Sequence, residues 1–243
     1  MRFRLYLAVL SFAVSAGAQE AASTVIVPVV GTMIGPGVLW KTTIEVVNDT
    51  GSPVNVAMDL VTAPENPVAF FDLGPGESKT FPDIMATFPT IPFALSPLRV
   101  TSDSRRALTV RATVFGIHNG EQTKPEPIAV YSGLAYYPLR ALDNLSFTDN
   151  YRTNIGLVNF GETPAEFLLA LQRIPGRNLA ISYITVPPTS LVHRSIQSLF
   201  PTISQGDDFT VVIESASRET YVYGSVIDNE HTGRFVQPRV ATR

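Results

Sequence analysis

The stretch that decides the fold is residues 40–48, WKTTIEVVN, which returns at residues 151–159 as YRTNIGLVN. Both copies read aromatic, basic, Thr, any residue, Ile, any residue, aliphatic, Val, Asn. Apolar and polar residues alternate in the first copy, which places Thr42, Ile44 and Val46 on one face of a half-buried β-strand. The sequence therefore predicts the same core strand twice.

The repeat continues beyond this strand. Further matched pairs are Pro53 and Pro164, Pro75 and Pro187, Phe88 and Phe200, Val100 and Ile213, Ser225 and Ala112, and His118 and His231. A period of about 110 residues is the size of a whole domain and is too long for a solenoid repeat. The sequence predicts an internal duplication, with one domain at 19–130 and a second at 131–243.

Each unit has the pattern of a β-sandwich. The segments KTTIEVVN, PVNVAMDLV and ETYVYGSVID alternate or are rich in β-branched and aromatic residues, and turn signals such as NDTGSP, LGPGES and HNGE separate them. Nineteen prolines argue against long helices. We predict an all-β fold of two tandem immunoglobulin-like β-sandwich domains.

One short helical turn is predicted in each domain, at PDIMATF and RSIQSLF. Asp83 and Ser195 are the expected N-caps. Ile84 and Phe88 in the first turn, and Ile196 and Phe200 in the second, are expected to pack on the sandwich. Asn48 and Asn159 end the repeated strand, where an Asn side chain bonds the backbone of a turn.

The N-terminus has the pattern of a secretory signal peptide. A short basic start precedes a largely apolar run at 5–14, and Ala16 and Ala18 form an A-x-A cleavage pattern. The run is too short to span a bilayer. We expect a signal peptide at 1–18 and a mature chain outside the cytoplasm, whether secreted, periplasmic or at the cell surface, without a transmembrane segment.

Composition excludes several classes of function. The chain carries 18 Lys and Arg against 21 Asp and Glu, a net charge of −3, and has no basic tract. Nucleic-acid partners are not expected, because phosphate binding needs clustered Lys and Arg. The chain has no cysteine, which excludes disulfides, Cys-based zinc sites and thiol catalysis.

Trp40 with Lys41, and Tyr151 with Arg152, are the candidate ligand-binding residues. On one interpretation, which we prefer, the rings cover the edge of the core and the basic side chains point away from it. On the other, each pair forms an equivalent ligand platform that binds by aromatic stacking and cation contacts.

The histidines predict neither a metal site nor a catalytic base. His118 and His231 occupy matching turns, HNG and HTG, and His193 has no His counterpart, its matching position lying near Thr80. No histidine spacing suggests zinc, and DNEH at 228–231 reads as a solvated turn rather than a calcium loop. No G-x-S-x-G motif or paired carboxylates stand out. We predict no metal, no cofactor and no enzymatic activity.

Together these motifs resemble a group of uncharacterised secreted bacterial proteins with tandem immunoglobulin-like β-sandwich repeats. The resemblance is carried by WKTTIEVVN, LGPGES, PDIMATF, LRVTSDS and YGSVIDN, and the second unit departs from it with VPPTSL and VVIESAS. It implies fold and export and says little about activity. The chain is also similar to periplasmic pilus chaperones in length and domain pairing, although its two halves are closer copies of each other.

The predicted function is a non-enzymatic structural, adhesive or protein-binding role with a protein or glycan partner. One alternative is a carbohydrate-binding module that uses exposed rings, with Trp40, Tyr136, Tyr137 and Tyr151 as candidates. Another is a pilus-type chaperone that adds a strand to an open sheet edge within a basic cleft. The third alternative is a hydrolase, which would hold a carboxylate of shifted pKa or one of the histidines in a pocket.

Overall fold

Antiparallel β-strands make up nearly the whole structure, a computed structural model that describes residues 22–35, 37–61, 66–91, 94–103, 108–132, 138–228 and 233–241. Strands account for 68% of it and helical turns for 4%, so the predicted all-β class is confirmed. No helix in these ranges is both long and apolar enough to cross a membrane. The expected signal peptide at 1–18 lies outside the described residues.

The N-terminal half, residues 22–132, forms ten of the described strands. They are β1 (Thr24–Gly35), β2 (Val38–Asn48), β3 (Val54–Leu60), β4 (Val68–Leu73), β5 (Ser78–Phe81), β6 (Ala94–Ser102), β7 (Leu108–His118), β8 (Glu121–Gln122), β9 (Glu126–Ile128) and β10 (Tyr131–Ser132). A helical turn at Ile84–Thr87 follows β5.

The C-terminal half, residues 138–241, forms the other nine described strands. They are β11 (Leu139–Phe147), β12 (Tyr151–Asn159), β13 (Ala165–Ile174), β14 (Arg177–Val186), β15 (Ser190–Ser195), β16 (Gly206–Glu214), β17 (Thr220–Asp228), β18 (Gly233–Val236) and β19 (Arg239–Val240). A helical turn at Ile196–Leu199 follows β15.

In the N-terminal half one sheet curls over so that β1 belongs to two layers. One layer has the order β4-β3-β6-β1-β10, and the other has the order β5-β2-β7-β9, with β8 also paired to β7. Most of β1 pairs with β6, and its last residues, 33–35, pair with β2. A register shift between Val27 and Val30 interrupts the pairing with β6. Pro28 lies in this bulge, where a residue without an N–H is tolerated.

In the C-terminal half two antiparallel sheets enclose the core. Their orders are β14-β13-β16-β11-β19 and β15-β12-β17-β18. The buried side chains between them come from both sheets, for example Phe167 of the first and Ile155 of the second. Each half therefore has its own hydrophobic core.

Strand β10 joins residues 131–132 to the N-terminal half. Tyr131 lies opposite Ile26, and Ser132 lies opposite Val25 of β1. The sequence placed the division after residue 130, where no linker composition marks it. Backbone pairing carries the N-terminal sheet at least two residues further.

The strand faces predicted from alternation are confirmed. In β2, Thr42, Ile44 and Val46 are all buried. In β3 the predicted inward residues, all buried, are Val54, Val56, Met58 and Leu60. Period-2 alternation was a sufficient signal here because one face of each strand meets a core.

Both helical turns have the predicted caps. The Asp83 side chain accepts a hydrogen bond from the Met85 N–H, and the Ser195 side chain accepts one from the Ser198 N–H. The apolar residues expected to pack beneath the turns are buried, namely Ile84, Phe88, Ile196 and Phe200. The capping residues thus stop the preceding strand and turn the chain onto the core.

The Thr that both copies of the repeated strand share makes the same pair of hydrogen bonds in each half. Thr42 Oγ1 accepts from the Gly31 N–H at 3.1 Å and donates to the Gly31 carbonyl at 3.2 Å. Thr153 Oγ1 makes the same two bonds to Ser146, at 3.1 and 2.6 Å. Each Thr therefore ties the repeated strand to the first strand of its own half.

The predicted role of Asn48 and Asn159 in turns is confirmed and extends to a second loop. Each buried Asn donates from Nδ2 to three carbonyls: those of Ser52, Leu73 and Gly74 for Asn48, and those of Thr163, Val186 and Pro187 for Asn159. The distances lie between 2.8 and 3.2 Å. One side chain thus satisfies carbonyls of two loops that lie far apart in the sequence.

Candidate functional site

The two halves meet through an apolar interface. One cluster of buried residues consists of Ile26, Val29, Val158, Tyr221 and Tyr223, and another consists of Val38, Trp40 and Ile227. Both clusters draw on both halves of the chain. The contact between the two halves is therefore apolar in both clusters.

A cavity of about 70 Å³ lies in this interface, and we name it the inner cavity. Apolar side chains from β1, β2 and β7 wall it on one side, and side chains from β17 and β18 wall it on the other. Trp40, His193, Tyr223 and Ser225 also line it. It is a largely apolar chamber with a few polar groups, which is the usual composition of small-molecule sites.

A more open cavity of about 330 Å³, the outer groove, adjoins the inner cavity. The residues that line both are Lys124, Glu126, Gly233 and Arg234. Tyr151 and Asp228 line only the outer groove. The shared walls make the two cavities neighbouring parts of one site between the halves.

The structure places the predicted rings Trp40 and Tyr151 in different surroundings. Trp40 is 9% exposed and lines the inner cavity, whereas Tyr151 is 44% exposed and lines the outer groove. They do not form two separate, equivalent surfaces, one in each half. Instead, the packing of the halves brings both rings to one site.

Lys41 and Arg152 do not line either cavity. Lys41 Nζ lies 2.6 Å from Asp83 Oδ2, so its charge is engaged by the carboxylate that also caps the helical turn. Arg152 is exposed on β12, opposite Ile227 of β17. The basic members of the two predicted pairs thus lie apart from the site that receives the rings.

A stack of three rings forms one wall of the inner cavity. Tyr223 lies between His193 and Phe235, with ring centroids 5.9 and 5.1 Å apart and nearly parallel planes. Gly156 makes room for it, because a Cβ at Gly156 would lie 2.0 Å from the Tyr223 ring. Burial lowers the pKa of His193 and raises the pKa of Tyr223 far above its usual value. Near neutral pH both rings are therefore uncharged.

Two buried polar atoms at this site have no hydrogen-bond partner among the described residues, Trp40 Nε1 and Tyr223 Oη. A Cβ on Gly35 would lie 3.2 Å from the indole nitrogen, so Nε1 faces the β1–β2 hairpin. Tyr223 Oη belongs to a side chain that is 2% exposed and lines the inner cavity. Buried polar groups are normally paired, so these two atoms are exceptions, and both are fully buried rather than open to the cavity.

The charges around the outer groove balance. Lys124 and Arg234 stand against Glu126 and Asp228, and Lys124 Nζ lies 3.7 Å from Glu126 Oε1. The lining therefore selects neither anions nor cations strongly, and it is not the basic cleft expected of a pilus-type chaperone. In the part of the chain that the structure describes, no three His, Asp or Glu residues are grouped to hold a metal ion.

The predicted turn at His118 is present, with Asn119 and Gly120 at φ of 50° and 84°. The His118 Nδ1 lies 2.6 Å from the Gly37 carbonyl oxygen, so the ring holds the neighbouring hairpin. His231 and the rest of the DNEH turn beyond Asp228 lie outside the described residues.

Edge strand β14 carries an exposed apolar stripe that sequence reasoning missed. Leu179, Ile181 and Tyr183 are 50%, 52% and 76% exposed and alternate along the strand, so they share one face. The signal in the sequence is the run NLAISYITV, which is apolar on both faces, whereas a strand covering one core needs only one apolar face.

The exposed rings of the described residues do not form a row. Phe70, Tyr151 and Tyr183 lie on β4, β12 and β14, which do not pair with one another. Tyr136 and Tyr137, the other candidates for a glycan-binding surface, lie outside the described residues.

Comparisons of the chain with protein-family models, with curated proteins and with solved structures give no match.

Proposed function

We propose that this protein is an exported, non-enzymatic binding protein that presents the edge of a β-sheet to a protein partner. Export rests on the signal pattern at 1–18 and the resemblance to secreted bacterial proteins. Binding rests on one observation, the exposed apolar edge strand β14. The proposal includes two tandem immunoglobulin-like domains that arose by internal duplication.

The strand orders support the duplication. The order β4-β3-β6-β1-β10 in the N-terminal half has the counterpart β14-β13-β16-β11-β19 in the C-terminal half. Likewise β5-β2-β7-β9 has the counterpart β15-β12-β17-β18. The paired roles of Thr42 with Thr153 and Asn48 with Asn159 agree with these counterparts. Two sandwiches with the same pairing follow most simply from one duplicated unit.

The edge of β14 lacks the usual protection against pairing. Natural edge strands are kept short or carry charges or Pro that prevent another strand from adding to them. β14 has ten residues, and after Arg177 it contains no charged residue and no Pro. It ends its sheet, so its outer backbone groups pair with no described strand. A partner strand could therefore continue this sheet.

The exposed face beside this edge adds apolar area. Tyr183 lies opposite Leu168 of β13, and Ile181 lies opposite Ala170. Both β13 residues are half-buried, so the apolar surface continues from the edge onto the sheet. Alternate side chains give an added strand its specificity, and the backbone gives it affinity.

The test is site-specific photo-crosslinking in the source cell. A photoreactive residue at position 181 on β14 is compared with one at Val240 on β19, at the opposite edge of the same sheet. Val240 is a matched control because it is also apolar, 58% exposed and on an edge strand. We expect one partner to be crosslinked from position 181 and not from position 240.

Charge substitutions then test whether the edge of β14 makes the contact that the crosslink detects. Ile181→Lys should abolish the crosslink from a reporter at position 183, and Val240→Lys should leave it intact. A crosslink that survives Ile181→Lys, or equal crosslinking from both edges, contradicts the proposal. If position 181 is crosslinked only to a second copy of the chain, the edge of β14 serves self-association and not the binding of another protein.

A further inference from the structure

We propose that copies of this chain associate head to tail, with the edge of β4 in one copy pairing with the edge of β14 in the next. This inference rests on the proposed function, because it uses the same edge of β14 and names a second copy as the protein that occupies it. The two edges are equivalent in the fold, they can pair antiparallel, and their exposed side chains match.

Strand β4 is a second exposed edge, at the end of the N-terminal sheet that corresponds to β14. Its outer face carries Val68 and Phe70, which are 47% and 78% exposed. The outer face of β14 carries Ile181 and Tyr183, which are 52% and 76% exposed. Each half thus presents one aliphatic and one aromatic side chain to solvent at the end of its sheet.

The register of the two hairpins shows that these exposed pairs are in equivalent places. In both, the aromatic residue lies three positions, and the aliphatic residue five positions, before the residue that faces the start of the preceding strand. Those facing residues are Leu73, opposite Val54, and Val186, opposite Ala165. The two halves therefore expose the same kind of side chain at the same place of the fold.

Equivalent edges of this kind can be joined by a simple rotation. β4 and β14 each pair antiparallel with corresponding strands, so both run in the same direction relative to their sheets and are open on the same side. A half-turn about an axis perpendicular to the sheet places β14 of a second copy antiparallel to β4. The outer faces of both sheets then lie on one side, and the core faces lie on the other. The two sheets thus continue as one.

In one register every exposed side chain of β4 meets an exposed side chain of β14 that complements it. The opposite pairs are Asp72 with Arg177, Phe70 with Leu179, and Val68 with Ile181. Opposite charges and apolar pairs that face each other across strands stabilise a sheet. A shift by two residues would separate Asp72 from Arg177, and a shift by one would place outer side chains of one strand beside core side chains of the other.

The two charges favour this pairing over other occupants of the edges. Neither Asp72 nor Arg177 belongs to an ion pair among the described residues. Pairing β4 with β4, or β14 with β14, would not bring the two charges together. A charge on an edge strand discourages unrelated strands, and Arg177 of a second copy neutralises the charge of Asp72. Because each copy has one edge of each kind, association continues from copy to copy.

The absence of cysteine from the chain allows a direct test of the pairing. Phe70→Cys and Leu179→Cys would be made in separate preparations of the mature chain, mixed in equal amounts and joined with a short bismaleimide linker. We expect a covalent dimer that contains one chain of each variant, and no more than a trace of dimer from either variant alone. Val240→Cys, at the opposite edge of the C-terminal sheet and also exposed, is the matched control and should give no dimer with Phe70→Cys.

An exchange of charges tests the register. Asp72→Lys and Arg177→Glu should each weaken self-association by about fivefold, because each places like charges opposite each other. Sedimentation equilibrium measures the change. An equal mixture of the two variants should recover the association of the parent, since each edge then meets the opposite charge on the other variant. Recovery in the mixture also shows that both variants are folded.

The inference is overturned if the mature chain stays monomeric up to about 1 mM, if one cysteine variant alone gives the dimer as readily as the mixture, or if mixing the charge variants restores nothing. The proposed function survives these results when photo-crosslinking from position 181 captures a different protein. If position 181 captures no more than position 240 does, the edge of β14 is not a binding surface, and the proposed function fails as well.

Discussion

The ring of Tyr223 occupies the space that a side chain on Gly156 would fill. The two residues lie on neighbouring strands, and a Cβ at Gly156 would lie 2.0 Å from Cε1 and 2.1 Å from Cζ of the ring. The ring cannot rotate away freely, because His193 and Phe235 stack on it. The absence of a side chain at Gly156 is thus what allows the aromatic wall of the inner cavity.

Gly156→Ala should therefore lower the free energy of unfolding by about 2–3 kcal/mol, the usual cost of overpacking a well-filled site. Urea denaturation measures the change. Gly51→Ala is the control, because nothing lies within 4 Å of a Cβ there, and it should change stability by less than about 0.5 kcal/mol. Equal effects of the two substitutions would contradict the close approach of Tyr223.

Asn48→Ala and Asn159→Ala should each cost about 2–3 kcal/mol of stability. Each removes a buried donor that serves three carbonyls. The Gly74 carbonyl keeps its bond from the Glu77 N–H, and the other carbonyls lose the bond from the Asn. Chemical denaturation compares them with Asn178→Ala, whose exposed side chain accepts a bond from that of Gln172 and should cost about 0.5 kcal/mol or less. A loss as small as that of the control would mean that water satisfies these carbonyls.

Asp83 has two roles that conservative substitutions can separate. It caps the helical turn through the Met85 N–H, and its other oxygen lies 2.6 Å from Lys41 Nζ. Asp83→Asn keeps a capping oxygen and should cost about 0.5 kcal/mol, because a partly exposed ion pair contributes little. Asp83→Ala also loses the cap and should cost about 1–2 kcal/mol.

Ser195→Ala is the comparison for this pair, since Ser195 caps its turn without an ion pair. It should cost about 1 kcal/mol. If Asp83→Asn were as destabilising as Asp83→Ala, the ion pair rather than the cap would hold this turn.

Burial of His193 predicts a pH dependence of stability. Its pKa in the folded protein lies below the ordinary value of 6.5, so the unfolded chain binds a proton that the folded chain does not. The free energy of unfolding should therefore fall as the pH drops below 6.5, until the pKa of the folded state is passed.

The measurement is the urea midpoint between about pH 7 and pH 5. His193→Gln should flatten this slope. If the slope is unchanged in His193→Gln, titratable groups other than His193 cause the pH dependence of stability.

Local signals in the sequence were enough to predict much of the fold. The alternation in β2 and β3, the caps Asp83 and Ser195, and the turn-binding Asn48 and Asn159 were all predicted correctly. Each depends on residues close together along the chain or on a simple period, because backbone groups and one buried face set the requirement.

Strand register was not predictable in the same way. Aligning the two halves matched Ala112 with Ser225, yet Ile44 lies opposite Ala112 while its repeat counterpart Ile155 lies opposite Gly224. The pairing thus matches Ala112 with Gly224, one residue earlier. Loops of different length conceal such a shift, and only the hydrogen-bonded partner reveals it.

The candidate site depended even more on distant contacts. Trp40 and Tyr151 are matching positions of the sequence repeat, Trp40 as the third residue of β2 and Tyr151 as the first of β12. The ring of Trp40 is covered by Ile227 and Gly233 of the other half, whereas Tyr151 borders an open groove. Their different exposure follows from how the halves pack, which no local pattern encodes.

By itself, then, the sequence determined the all-β class, the repeated core strand and the capped turns, because these follow from periodicity and nearby hydrogen bonds. Some strands also carry apolar residues on the face that points away from the core of their own half. Only the tertiary structure decided which of these outer faces are covered. The outer faces of β1 and β17 meet between the halves and leave the inner cavity, while the outer face of β14 meets no described strand. The sequence of such a strand does not show whether its outer face is covered or exposed, because hydrophobic attraction has no direction. The fold decides which surface packs against it.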